Sequence, residues 1–190
     1  MATNRLVLQL QEGNLNALGE LYDRYHLLVY RTALGITGDP EAASDLLQDV
    51  FLRLYRFKEK IDPARPLEPW LYRMTVNLSR TWLKQQRWLQ PLEQIAEWVT
   101  GETRHAPSPY VENKDQWHQI EQALAAMPFP HRAVIVMYYL NDLSLQDIAE
   151  ILDIPVGTVK SRLYYGRAIL KEHLEKFDGE LPKPVYKFIF

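Results

Sequence analysis

The sequence predicts an all-α protein built as two small helical domains joined by a flexible linker. Three observations carry that expectation. Apolar residues recur with a helical period nearly throughout, and long alternating strand patterns are missing. Proline- and glycine-containing breaks cut the periodic stretches into helices of ordinary length. Between residues 91 and 112 the periodicity fails and the composition turns acidic, which separates two periodic units near 1–90 and 113–177.

The elements follow in chain order. Residues 5–11 and 14–35 read as helices, with Asn14 a cap for the second. Thr37-Gly38-Asp39-Pro40 breaks the chain; Asp39 suits the cap of the next helix and Pro40 its first turn. That helix runs to about Phe57. A loop containing Pro63, Pro66 and Pro69 leads to a helix over about 69–89. A linker follows, with a short helix near 92–99 and breaks at Gly101, Pro107 and Pro109. Helical spacing returns at 113–127 through Trp117, Ile120, Leu124 and Met127. After the sharp connector Met127-Pro128-Phe129-Pro130, helices near 130–140, 145–152 and 156–176 complete the second unit. The tail 178–190 has two prolines and ends on Val185, Tyr186, Phe188, Ile189 and Phe190, an apolar set that favours a contact of some kind.

Composition narrows the function. The chain has 190 residues, 47% hydrophobic and 24% charged, which is globular chemistry rather than disorder. It has no cysteine, so disulfides, thiolate metal sites and cysteine nucleophiles are excluded. No apolar run reaches 18 residues and the N-terminus lacks a secretory pattern, so a cytoplasmic location is expected. His26, His105, His118, His131 and His173 are scattered without ligand spacing, and no glycine-rich phosphate loop occurs. Neither an enzyme, a metal site, a cofactor nor a small-molecule substrate is expected.

Net charge is -2, which by itself argues against a nucleic-acid binder. Its distribution argues for one. Residues 73–90 carry Arg73, Arg80, Lys84 and Arg87 with no acid, and residues 156–171 carry Lys160, Arg162, Arg167 and Lys171 with no acid.

In the second unit, 145–152, a short turn and 156–164 have the form of a helix-turn-helix. Ser144 suits the cap of its first helix, with Asp147 three residues on. Ala149 is small where the two helices meet, and Pro155 starts the second. On a helical wheel Val156, Val159, Leu163, Gly166 and Leu170 share one face. Ser161 and Tyr165 lie opposite, flanked by Thr158, Lys160, Arg162 and Tyr164. Thr158, Ser161 and Arg162 suit base edges or phosphates; Lys160, Arg167 and Lys171 suit phosphates. The first helix is acidic, which favours the second as the reader.

On the helix 69–89, Leu71, Met74, Leu78 and Trp82 form an inner face. Arg73, Asn77, Arg80, Lys84 and Arg87 recur at helical spacing on the opposite side, a stripe that suits a phosphate backbone. The prolines of the preceding loop restrict it, so that it suits presenting a pocket to an unstacked base. The helix 40–57 differs: it buries Ala43, Leu47, Val50, Leu54 and Phe57 and shows Asp45, Gln48, Asp49, Leu52 and Arg56. An outward leucine among carboxylates suits a protein partner better than DNA.

The run 39–55 followed by Pro69-Trp-Leu-Tyr-Arg-Met-Thr-Val-Asn77 resembles region 2 of bacterial sigma factors, and Gly157-Thr-Val-Lys-Ser-Arg-Leu163 after an Ile-Ala-Glu-Ile-Leu helix resembles their region 4. Two such domains and a linker, without other sigma regions, resemble the extracytoplasmic-function (ECF) branch of the sigma-70 family over about residues 5–177. The resemblance implies that Asp45, Leu46, Gln48, Asp49, Leu52 and Arg53 dock on the clamp helices of the RNA polymerase β′ subunit. It implies that Asn77, Arg80, Thr81, Lys84 and Arg87 hold an opened promoter −10 element. Many relatives have Asp at the position of Thr81, which implies an altered −10 preference. The second domain would read the −35 element through Thr158, Lys160, Ser161, Arg162, Tyr165, Arg167 and Lys171 and touch the β flap. The acidic linker would thread the RNA exit path, and an anti-sigma factor would hold the protein inactive. Two other readings use the same residues: a stand-alone helix-turn-helix regulator binding a palindrome as a dimer, and a protein-interaction module indifferent to its cations.

Overall fold

A computed structural model of the chain describes residues 2–100, 120 and 122–175. Their α-helices are α1 (Ala2–Gln11), α2 (Leu15–Thr37), α3 (Pro40–Arg56), α4 (Glu68–Thr100), α5 (Phe129–Ile135), α6 (Leu145–Leu152) and α7 (Val156–Glu175). A 3-10 turn spans Lys58–Lys60, residues 122–126 are helical, and α5 runs on into a π-helical stretch, Val136–Leu140. No strand occurs among the described residues, in agreement with the all-α expectation. No described helix is long and apolar enough to cross a membrane.

Local chemistry explains the starts and stops. The Asn14 side chain accepts from the Asn16 N–H at 3.0 Å and begins α2. Gly38, at φ 72, closes α2 in the left-handed region that glycine adopts without strain. Asp39 accepts from the Ala42 N–H at 2.9 Å and Pro40 occupies the first turn of α3. One expectation differs. α4 stays helical past the break expected near Gln90 and ends at Thr100, so that it takes in Pro91 and the first part of the expected linker 91–112. Residues 92–98 are mostly good helix formers, which outweighs one proline. The rest of that linker, Trp117 and the tail 178–190 lie outside the described residues.

The first core lies among α1–α4. Leu10, Leu21, Val29, Val50, Leu54 and Leu71 are all fully buried. Each such side chain contributes about 1.5–3 kcal/mol relative to exposure. Leu46, expected on the outer face of α3, is 5% exposed and belongs to this core. It follows Ala42 and precedes Val50 by one helical turn each, so it lies on the buried side. Phe57, expected inside, is only half-buried at the end of α3.

The second core joins Ile120, Leu124 and Met127 to α5, α6 and α7 through Ile135, Met137, Ile148, Val159, Leu163 and Leu170. A β carbon on Gly166 would lie 2.6 Å from Ile135 Cγ1, so glycine sets how closely α7 approaches α5. This core does not stop at the domain boundary. Ile36 of α2 and Tyr72 and Val76 of α4 are buried in it. The two units, expected to be joined only by a flexible linker, are packed together here. A β carbon on Gly35 would fall 2.8 Å from Leu140 Cδ1 and 3.1 Å from both γ carbons of Val136, so glycine also permits this approach.

Polar contacts tie the same seam. Arg132 is buried and donates to the carbonyls of Ile36 (2.8 Å), Ala125 (2.6 Å) and Met127 (2.9 Å). Ile36 lies in the last turn of α2, where carbonyls lack helical partners and carry partial negative charge. Asn141, just after the π-helical stretch, donates to Thr32 Oγ1 (2.8 Å) and to the Tyr72 hydroxyl (3.3 Å). Burial raises the pKa of Tyr72.

Candidate nucleic-acid interface and docking face

The helix-turn-helix is built from α6 and α7. Ser144 and Asp147 form a reciprocal capping box: the Asp147 N–H donates to Ser144 Oγ at 3.1 Å and the Ser144 N–H to Asp147 Oδ2 at 3.1 Å. Asp153, at φ 52, turns the chain out of α6, and the Ile154 N–H returns to the Ala149 carbonyl at 3.0 Å. Pro155 then accepts from the N–H groups of Thr158 (2.9 Å) and Val159 (3.2 Å) and starts α7. Ala149 is buried in the second core.

α7 buries Val159, Leu163, Gly166 and Leu170, as its spacing predicts, with Val156 half-buried. Its other side presents Lys160, Ser161, Tyr164 and Tyr165; Tyr165 is 56% exposed. Thr158 and Arg162 are half-buried at the flanks, and Lys171 is exposed. Arg167 departs from the expectation of a phosphate contact. Its Nε donates to the Tyr139 hydroxyl at 2.7 Å, and its guanidinium lies over the Tyr138 and Tyr139 rings. It points back into its own domain, an arrangement that wheel geometry does not reveal because the tyrosines come from the π-helical stretch. Burial raises the Tyr139 pKa, and the hydrogen bond and charge of Arg167 oppose that rise.

His131 on α5 faces the edge of α7. Its ring meets Tyr165 edge-on at 6.2 Å, and its buried Nδ1 has no hydrogen-bond partner among the described residues. Burial, and then the positive charge of Arg162, pushes its pKa below the usual 6.5. It therefore favours the neutral form.

The stripe on α4 is exposed at Arg73, Asn77, Arg80, Thr81 and Lys84. Thr81 donates its hydroxyl to the Asn77 carbonyl at 3.0 Å. The Arg87 side chain lies outside the described residues. The opposite face packs inward as expected, with Leu71 and Leu78 buried and Met74, Trp70 and Trp82 packed against them. Two of the stripe's cations are already engaged. Arg73 donates from Nε to the Ile151 carbonyl (2.9 Å) and from Nη2 to the Glu150 carbonyl (2.7 Å), at the C-terminal turn of α6. Arg80 lies 5.7 Å from the centre of the Phe129 ring. A cleft of about 320 Å³ lies between the halves, with Arg73, Asn77 and Arg80 on one side and Phe129, Asp153 and Arg162 on the other.

In the loop before α4, Ile61 and Leu67 are buried. Gln11 donates to the carbonyls of Lys58 and Ile61, both at 2.9 Å, and fastens the loop to α1. Arg65 pairs with Asp62 at 3.3 Å on the surface.

On α3, Asp45, Gln48, Asp49, Leu52, Arg53 and Arg56 are exposed together, and Leu52 is 64% exposed. Leu46, buried beneath them, is the one member of the expected docking set that this face does not present. Sequence reasoning missed Arg132 and Asn141, the polar ties of the seam. Their signal is weak, since an arginine and an asparagine beside apolar runs read as ordinary surface residues.

Comparison with known proteins gives a consistent result. Residues 21–89 match the family model for Sigma-70 region 2, and residues 117–170 that for Sigma-70, region 4. The chain is 30% identical to the ECF RNA polymerase sigma factor SigW of Bacillus subtilis, over 92% of this chain and 97% of that protein. It is 33% identical to the ECF RNA polymerase sigma factor SigL of Mycobacterium tuberculosis, over 82% of this chain and 88% of that protein. Its fold is similar to CnrH, solved in complex with the cytosolic domain of CnrY, with a TM-score of 0.71, 22% identity, and coverage of 94% of this chain and 100% of that one. It is also similar to the sigma factor RpoE of Bartonella quintana, solved with the anti-sigma factor NepR, with a TM-score of 0.62, 22% identity, and coverage of 85% and 98%.

Proposed function

The chain belongs to the sigma-70 family, in its ECF branch, and from that premise we propose that it directs core RNA polymerase to promoters through three surfaces. The exposed face of α3, centred on Asp49 and Leu52, docks on the β′ clamp helices. The α4 stripe, through Asn77, Arg80, Thr81, Lys84 and Arg87, holds the opened −10 element. α7 reads the −35 element with Thr158, Lys160, Ser161 and Arg162, flanked by Tyr165 and Lys171, while the same domain touches the β flap. Arg167 holds Tyr139 and serves the domain's own structure rather than a phosphate.

The observation that carries this reading is the division of surfaces. One helix of the first domain shows carboxylates around an exposed leucine, and the next shows an acid-free row of cations. A phosphate backbone is attracted to the second and repelled by the first. A stand-alone regulator has no use for the α3 face. An anti-sigma factor holds the protein inactive, a reading supported by the similar fold of a sigma factor solved with the anti-sigma factor NepR.

Run-off transcription tests the proposal, using purified core polymerase with and without the protein on fragments of its source genome. Discrete new transcripts sharing upstream −35 and −10 elements are the expected outcome. Absent transcripts, with tight binding of the protein alone to palindromic duplex, would replace this reading with that of a stand-alone regulator.

A further inference from the structure

We propose that His131 is a further DNA contact of the −35 reader: its Nε2 meets a phosphate beside α7, and duplex binding draws a proton onto its ring. The inference rests on the promoter-reading assignment above.

The geometry places this ring at the border of the reading face. Tyr165 lies on the side of α7 opposite its buried row, and the His131 ring meets it edge-on at 6.2 Å. Tyr165 meets Tyr164 in the same manner at 5.5 Å, so the rings form a row that carries the exposed face of α7 onto α5. His131 is half-buried, and its two nitrogens differ. Nδ1 is the buried one and has no partner among the described residues, which leaves Nε2 to meet solvent. An orphaned buried N–H is costly, so the neutral ring keeps its proton on Nε2. The outward atom is therefore a donor beside a surface suited to phosphates.

The surrounding charges leave that donor for DNA. From α7, Arg162 acts on the ring and Tyr165 covers its edge. The π-helical stretch contributes Tyr138 and Tyr139, which hold Arg167. From α4, Arg80 lies over Phe129, and from α2 the Ile36 carbonyl takes the guanidinium of Arg132. Residues 122–126 carry no charge. Asp153 borders the cleft that Phe129 and Arg162 line, yet no carboxylate among the described residues acts on the ring. Burial and the charge of Arg162 thus keep the ring of the free chain neutral above pH 6.5.

A phosphate at Nε2 works against both influences. It pairs with Arg162, and its negative charge favours the imidazolium. The complex then takes up a proton at a pH where the free chain does not. Affinity therefore rises as pH falls toward 6.5, and it levels off once the free ring also titrates.

The test is fluorescence anisotropy of a labelled duplex carrying the −35 element, titrated with holoenzyme between pH 8 and 6. His131→Phe keeps a ring against Tyr165 but has neither donor nor proton. His131→Gln keeps a donor at similar reach without the proton. Wild-type affinity is expected to rise at least threefold relative to both variants between pH 8 and 6, within the limit of about tenfold per pH unit for one proton. At pH 6 the wild-type slope of log affinity against log salt should exceed that of His131→Phe by about 0.9, the share of one phosphate on duplex DNA.

Parallel pH profiles or equal salt slopes overturn the inference. So does wild-type binding that weakens relative to His131→Phe as pH falls, which would leave the ring a packing role alone. If holoenzyme binds the −35 duplex and a scrambled duplex alike, the promoter-reading assignment is what fails, and the pH and salt profiles on either duplex still decide the His131 contact.

Discussion

Replacing Arg80 and Lys84 together by alanine tests the stripe as a phosphate tracker. Both are exposed on one side of α4, separated by one helical turn, so each faces a different phosphate. A cation that neutralises one phosphate of a single strand contributes about 0.7 to the slope of log affinity against log salt. Two cations contribute about 1.4. Between 50 and 200 mM salt, a fourfold change, the double variant's affinity should therefore fall about sevenfold less steeply than wild type's. Arg80 also gives up its position over Phe129 to reach DNA, worth about 0.5–1 kcal/mol at an exposed site, so its own deletion costs somewhat less binding at low salt than Lys84's. The assay is fluorescence anisotropy of a labelled −10 strand titrated with holoenzyme at four salt concentrations. Core polymerase binding is measured in parallel and should not change. Equal slopes for variant and wild type would refute the phosphate assignment, and a matching loss of polymerase binding would refute the division between α3 and α4.

Three further outcomes are expected. Asp49→Arg should abolish core binding and spare −10 strand binding by the free chain, whereas Leu46→Asp, buried beneath the same face, should unfold the domain; unchanged core binding by Asp49→Arg in pull-down would remove the docking assignment. Gly166→Ala places a methyl group 2.6 Å from Ile135 Cγ1, at a packing cost of about 1–3 kcal/mol against a helix gain of about 1. Its melting temperature by circular dichroism should fall by a few degrees, and a rise would show that α5 and α7 separate freely. The pKa of His131 is below 6.5 in the folded chain and close to 6.5 in the unfolded one, so above pH 6.5 both forms are neutral there and stability is unaffected. As pH falls from 6.5 toward the folded value, the unfolded chain takes the proton first and stability drops. His131→Asn should flatten the urea midpoint between pH 7 and 5, and superimposed wild-type and variant profiles would contradict the burial argument.

Features written in a few consecutive residues were legible in the sequence. The Asp39 and Ser144 caps, the small Ala149 and the buried spacing of α7 depend only on neighbours within a turn or two, and each stands as expected. Leu46 was misplaced because the resemblance named it beside exposed residues, although its spacing from Ala42 and Val50 puts it inside. Arg167 was misplaced for another reason. Its partners, Tyr138 and Tyr139, lie far away in sequence, and the π-helical stretch that aims them has no period that a wheel detects.

The hardest feature to read was α4, because a wheel sorts a helix into an inner and an outer face while this helix has three. Leu71 and Leu78 serve one core, Tyr72 and Val76 serve the other, and the cations occupy what remains. Tyr72 and Val76 lie four residues apart, the same interval that separates Arg73 from Asn77, so the second apolar row runs alongside the stripe. An acid-free row of arginines signals a partner rich in negative oxygen atoms. It does not say whether those oxygens belong to phosphates or to the carbonyls at the end of another helix. Arg73 meets the second kind here, at the end of α6.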